Sequence, residues 1–161
     1  VGPSGISLRG IAKKVGVSQT APYSHFSDKN ALLIDVAASG FEKLSQALEA
    51  SRESKPTALR SELNGLGIAY VNFAMNHKAL FRLMFGDDLS DLPKSELYEQ
   101  EAIRAYTILK NCIERSGGSL TQTRAAWSVV HGMATLIVDN KLILKGDMET
   151  ELKKILECLS L

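Results

Sequence analysis

Three observations predict an all-α protein. Apolar residues recur at helical spacing along most of the 161-residue chain, no segment alternates apolar with polar as a half-buried strand would, and glycines fall where the helical runs stop. The runs divide into an N-terminal helix-turn-helix, residues 1–45, and a C-terminal helical bundle, residues 46–161.

The first helix opens at Ser7, a good N-cap, and carries Leu8, Ile11, Ala12 and Val15 on one face with Arg9, Lys13 and Lys14 outside. Gly16 suits a left-handed helix end, Val17 puts one apolar side chain into the turn, and Ser18 can cap a second helix over 19–25. Pro22 lies at the edge of the first turn in which proline is tolerated, so this second helix is expected to be short or distorted. Ser27 is then read as the cap of a helix reaching about residue 50, with Leu33, Val36, Ala37, Phe41, Leu44 and Leu48 on its buried side.

Residues 51–55 are the most linker-like stretch, and Pro56 fits the first turn of a long helix bearing Leu59, Leu63, Leu66, Tyr70, Phe73 and Ala74 and ending at Asn76 and His77. A short apolar helix over 79–85 leads into GDDLSDLPKS, the best candidate for a mobile segment. Helices over 95–115, 121–144 and 147–159 complete the chain, punctuated by Gly117, Gly118 and Gly146.

Composition narrows the function classes. No run is apolar and long enough to span a membrane and no secretory signal is visible, which points to the cytoplasm. Cys112 and Cys158 lack metal-type or CxxC spacing, so no metal and no cofactor are expected. His25, His77 and His131 fall in no HExxH pattern and no Gly-rich phosphate loop is present, which leaves little basis for an enzyme. The formal net charge is only +1, yet Arg9, Lys13, Lys14 and Lys29 oppose a single acid, Asp28, in the first thirty residues.

Two short helices joined by such a turn form a DNA-reading motif, in which the start of the second helix meets base edges in the major groove. Gln19, Thr20 and Ala21 hold those positions; a glutamine pairs naturally with adenine, and a small apolar side chain meets a thymine methyl.

The run IAKKVGVSQTAPYSHFSDKNALL resembles the DNA-binding segment of the TetR family of transcriptional regulators. Its landmarks stand in order at Ile11 and Ala12, at 16–18, at Tyr23, His25 and Phe26, and at Lys29, Leu32 and Leu33. AYVNFAMNHKALFRLMF at 69–85 and WSVVHG at 127–132 resemble the ligand-binding half of a TetR subfamily named for a Trp-His-Gly signature. Domains of this type open with a further helix ahead of residue 1, which this chain is expected to lack.

The resemblance implies that Tyr23 and His25 lie at the DNA surface, that Phe26 points inward, and that Ser7 and Lys29 hold backbone phosphates. It implies a homodimer built from the last two helices, with Ala126, Val130, Ala134, Ile137, Leu152, Ile155 and Leu156 at the interface. Ala125, Val129, Val138 and Leu142 add apolar surface beyond what one face needs. A small-molecule effector pocket is expected from Tyr70, Phe73, His77, Phe81, Phe85, Trp127 and His131, within a pool that also includes Asn72, Met75, Met84 and Met133. Gly132 beside His131 is expected to permit close helix packing. The resulting reading is a repressor that binds a double-stranded DNA operator and leaves it when a ligand fills the core. The alternative is a helical protein-interaction module, or a redox sensor using Cys112 and Cys158, that does not read DNA.

Overall fold

A computed structural model describes residues 5–53 and 59–157, and every regular element among them is helical, as the periodicity predicts. Helix α1, Leu8–Val15, starts as expected: Ser7 Oγ accepts the Gly10 N–H at 3.1 Å. It ends at Gly16 with φ 82°, where the N–H groups of Gly16 and Val17 both return to the Ala12 carbonyl at 3.0 Å. Leu8 and Ala12 are buried, but Val15 is 70% exposed and Val17 47%, so the expected apolar face stops one turn short.

The predicted helix over 19–25 is instead a single 3-10 turn, Ala21–Ser24. Thr20 and not Ser18 stands at the N-cap, but Ser18 Oγ accepts the Ala21 N–H at 3.2 Å from just ahead of the turn. Pro22 has no N–H to return to Ser18, so the bonds close three residues back instead of four, from Ala21 to Ser18 and from Tyr23 to Thr20.

Helix α2, Lys29–Glu53, is 25 residues long and spans roughly 37 Å at 1.5 Å per residue. Asp28 takes the capping role expected of Ser27: its Oδ1 accepts the Ala31 N–H at 2.9 Å. Leu33, Ala37, Phe41, Leu44 and Leu48 are buried, whereas Val36 is exposed because Ile34, Ala38 and Ser45 extend the buried stripe on its other side. The boundary expected at 45/46 falls inside this helix, which continues past Ser51; Pro56 lies outside the described residues.

Helices α3, Leu59–Asn76, and α4, Lys78–Phe85, follow as predicted. The GDDLSDLPKS segment is anchored where mobility was expected, because Leu89 is only 2% exposed and the Lys94 ammonium donates to the Leu89 and Leu92 carbonyls. Helix α5, Glu96–Arg115, is capped by Ser95, and α6, Leu120–Val138, by a reciprocal box between Ser119 and Gln122. Helix α6 stops six residues before the predicted end. Asn140 adopts φ 56°, and Arg82 clamps the terminus by donating to the Val138 carbonyl at 2.8 Å and to Asp139 Oδ1 at 3.0 Å. Asp147 caps α7, Met148–Glu157.

Helix α2 packs against α3, α4 and α5, and α3 packs in turn on α6 and α7. Arg115, just ahead of α6, bonds Glu62 near the start of α3, while Arg82, just after α3, bonds the end of α6; α3 and α6 therefore run parallel. The same Glu62 carboxylate accepts from Arg52 at 2.8 Å and Arg115 at 2.6 Å, joining α2, α3 and α5. No helix among the described residues is long and apolar enough to cross a membrane.

The residues expected at a dimer interface belong to the core of one chain. Ala134 and Leu152 are fully buried, and Ala126, Val130 and Ile137 are at most 9% exposed, so they offer no surface to a second copy. Helix α6 packs against α3 and α5, yet Ala125 and Leu136 stay exposed and Val129 and Gly132 half-buried, so part of its apolar surface remains open. Ile155 packs partly against the same core, and the Leu156 side chain lies outside the described residues.

Two glycines make opposite demands. A Cβ at Gly40 would come within 2.5 Å of Met84 Sδ and 2.9 Å of its Cγ, whereas one at Gly132 would meet nothing within 4 Å, so the close packing expected at Gly132 occurs at Gly40 instead. Chemical denaturation should therefore show Gly132→Ala stabilising by about 0.5–1 kcal/mol through helix propensity. Gly40→Ala should destabilise by about 1–2 kcal/mol, as overpacking exceeds the same gain; equal effects would refute the contrast. The Glu62 network adds a pH signature. Burial raises the Glu62 pKa, but the Arg115 and Arg52 hydrogen bonds and charges outweigh it, and the net position is below the ordinary 4.5. That stability is present above the unfolded value and is lost as pH falls through the lowered folded one. Glu62→Gln should cost about 1–3 kcal/mol at neutral pH, with the difference from wild type shrinking below about pH 4.

Candidate functional site

Two regions carry the candidate chemistry. In the first, the turn after α1 presents Gln19, Thr20, Tyr23 and His25 to solvent, while Ala21 and Phe26 are half-buried. Ser18 and Thr20 hydroxyls lie 3.2 Å apart, and the Ser24 hydroxyl donates to the Ala21 carbonyl at 2.7 Å, so the turn braces itself with its own side chains. Arg9, Lys13 and Lys14 are exposed along α1, Ser7 is exposed at its start, and Lys29 opens α2 half-buried. The Ser7 hydroxyl is already engaged as the α1 cap. Polar, basic and aromatic side chains thus share one short exposed segment, joined directly to the longest helix.

The second region is a cavity of about 660 Å³ enclosed by α2 to α6. Phe41, Leu44 and Leu48 of α2 form one wall; Leu63, Asn64, Leu66, Gly67 and Tyr70 of α3 form the next. Met84 and Phe85 of α4 close one end, and α5 contributes Tyr98, Ala102, Ile103, Ala105, Tyr106 and Leu109. Arg124, Ala126, Trp127 and Val130 of α6 complete it. Ile103 and Trp127, 65% and 39% exposed, mark the mouth together with Arg124.

Three of the seven expected pocket residues line this space: Tyr70, Phe85 and Trp127. Phe73 and Phe81 are core residues, 5% and 2% exposed, and Phe81 packs behind the wall against Phe85 and Tyr70. His77 is exposed at the α3–α4 junction. His131 stands behind the wall: its Nδ1 lies 2.8 Å from the Tyr70 hydroxyl, and its ring packs 4.7 Å from Phe85 and 5.9 Å from Trp127. Burial lowers the His131 pKa and so favours the neutral imidazole, and among the described residues its ring pairs with the Tyr70 hydroxyl and not with a backbone carbonyl. Burial raises the Tyr70 hydroxyl far above its usual value, against a smaller opposing contribution from the Trp127 side chain. The α2 and α5 walls were missed. The 98, 102, 105, 106, 109 spacing on α5 is a helical stripe, indistinguishable in sequence from ordinary core.

Cys112 is fully buried, and burial followed by the nearby Glu62 charge pushes its thiol up to about 11. A thiol held protonated in this way is a poor nucleophile, which counts against redox sensing; Cys158 lies outside the described residues.

Residues 63–159 match the family described as tetracyclin repressor-like, C-terminal domain, and residues 1–36 match the bacterial regulatory proteins of the tetR family. A protein of unknown function from Rhodococcus sp. RHA1 is similar in structure, with TM-score 0.81 and 29% identity over 96% of this chain and 83% of that one. The TetR family transcriptional regulator PfmR from Thermus thermophilus shares the fold, with TM-score 0.63 and 17% identity over 96% of this chain and 87% of the other. No match is found among curated proteins.

Trp127 is the single tryptophan and lines the cavity, so it reports occupancy directly. Titration with an apolar naphthalene probe should change its emission with one-to-one stoichiometry. Ala102→Phe, which fills the cavity from α5, should weaken the probe at least tenfold; unchanged binding by that variant would place the probe elsewhere.

Proposed function

Because this chain belongs to the TetR family of bacterial regulatory proteins, we propose that it is a DNA-binding transcriptional regulator, a homodimeric repressor released from its operator by a small molecule. One observation supports the ligand-controlled part of this reading: α2 begins at Lys29, five residues after the exposed turn ends at Ser24, and supplies one wall of the cavity through Phe41, Leu44 and Leu48. A rigid 25-residue rod therefore joins the two candidate regions. A ligand that prefers one inclination of α2 shifts the population of DNA-competent dimers, and by linkage DNA disfavours that ligand equally.

On DNA, the assigned roles are base contact for Gln19, Thr20 and Ala21, and backbone contact for Ser7, Tyr23, His25 and Lys29. Two recognition segments must stand about one helical turn apart, roughly 34–36 Å, for both to enter the major groove. A modest charge per subunit suffices, because a two-fold assembly doubles the basic α1 and its turn.

The test is an electrophoretic shift of the full-length protein on DNA upstream of its own coding sequence. A selective, salt-sensitive shift is expected. Tyr23→Phe and Lys29→Ala should weaken all sequences alike, with the salt slope falling by about one for Lys29→Ala; Gln19→Ala should relax preference at one base pair, at a cost of about 1–3 kcal/mol. Absence of any selective shift, or loss of selectivity by none of the turn variants, would overturn the assignment.

A further inference from the structure

Among the described residues the cavity is lined by a single charged group, and it stands at one end. Tyr70 pairs its hydroxyl with His131, and Tyr98 directs its hydroxyl to the Met84 carbonyl at 3.4 Å, so both of these hydroxyls are engaged within the protein, and neither they nor Tyr106 and Trp127 carry a charge. At the charged end stand Asn64 of α3 and Arg124 of α6. The two helices run parallel, and Tyr70 meets His131. Asn64 precedes the first by six residues and Arg124 precedes the second by seven, which puts both roughly 9–11 Å of helix rise from that contact, in the same direction. Among the described residues neither side chain has a polar partner, and Arg124 is the only charged one lining the space. The nearest acid along α3, Glu62, is already held by Arg52 and Arg115.

From this asymmetry we infer that the cavity takes an amphipathic carboxylate, its apolar body lying along Phe41, Leu44 and Phe85 and its head group paired with Arg124. A guanidinium presents a planar fork that matches a carboxylate bidentately, and Asn64 adds an amide donor at the same end. The volume, about 660 Å³, lies in the range that buries most of a drug-sized molecule. Because Arg124 lies at the exposed mouth, the charge keeps partial contact with water and is not fully desolvated. This assignment rests on the reading of the cavity as an effector site and names the class of effector.

Decanoate and decanol, equal in chain length and different in head group, separate the possibilities. Binding is followed through Trp127 emission in the full-length wild type, Arg124→Gln and Arg124→Lys. Decanoate should bind wild type about tenfold or more tighter than decanol. Arg124→Gln should abolish that preference while leaving decanol unchanged, and Arg124→Lys should retain part of it. Equal affinity for the two probes in wild type, equal loss of both in Arg124→Gln, or no binding of either overturns the inference. Operator retention, measured in parallel, tests the other reading separately. Arg124-dependent decanoate binding without DNA release would refute ligand-controlled release and leave the head-group assignment standing. Release by both probes alike would do the reverse.

Discussion

The structure depends on covering one apolar stripe along α2. Leu33, Ala37, Phe41, Leu44 and Leu48 must leave water, and a lone helix has no means of doing that, so α3, α4 and α5 are all arranged around it. The closest approach comes at Gly40, where the absence of a side chain lets Met84 and Leu80 of α4 press against the α2 backbone. The far end is tied electrostatically, where one Glu62 carboxylate receives two arginines from different helices. Tight contact at one end and a charge-assisted tie at the other hold α2 along its length. Between them its side chains face a space that the protein does not fill.

That space is costly to keep. Interiors pack at crystal-like density, and apolar walls without atoms opposite them forfeit dispersion contacts. The chain limits the cost by satisfying the polar groups that the walls would otherwise strand: the Tyr70 hydroxyl faces a neutral His131, and a ring of aromatic contacts from Phe81 and Phe85 fixes that imidazole. A molecule occupying the void recovers the missing contacts and stabilises whichever inclination of α2 accommodates it.

The N-terminal segment has a different balance. Its α1 is eight residues long with two buried side chains, and its turn is closed by three-residue loops, so its shape depends on local hydrogen bonds from Ser7, Ser18 and Asp28 more than on burial. Segments of this kind sit at the low-stability end of a protein, where a binding partner completes the order. Pro22 sharpens the effect by removing the bond that would have continued an α-helix.

What the sequence alone determined is local. Helix starts at Ser7 and Ser95, stops at Gly16 and Gly117, the Pro22 distortion and the all-helical class all follow from bonds or sterics spanning five residues or fewer, which a linear pattern contains. The displaced cap at Asp28 shows the margin of such reasoning, since adjacent Ser27 and Asp28 are both competent and only the chain's path chooses between them. Tertiary structure decided the rest. Periodicity identified apolar faces without naming their partners, so Ala126, Val130, Ala134, Ile137 and Leu152, expected at an interface, are buried within one chain, and His131 and Phe81 lie behind the cavity wall. The early end of α6 depends on Arg82, 57 positions away from Asp139. Tyr98, Tyr106 and Arg124 joined the cavity for the same reason. Which apolar stripe meets a neighbour, a void or water is set by the mutual packing of helices distant in sequence, and no local pattern encodes it.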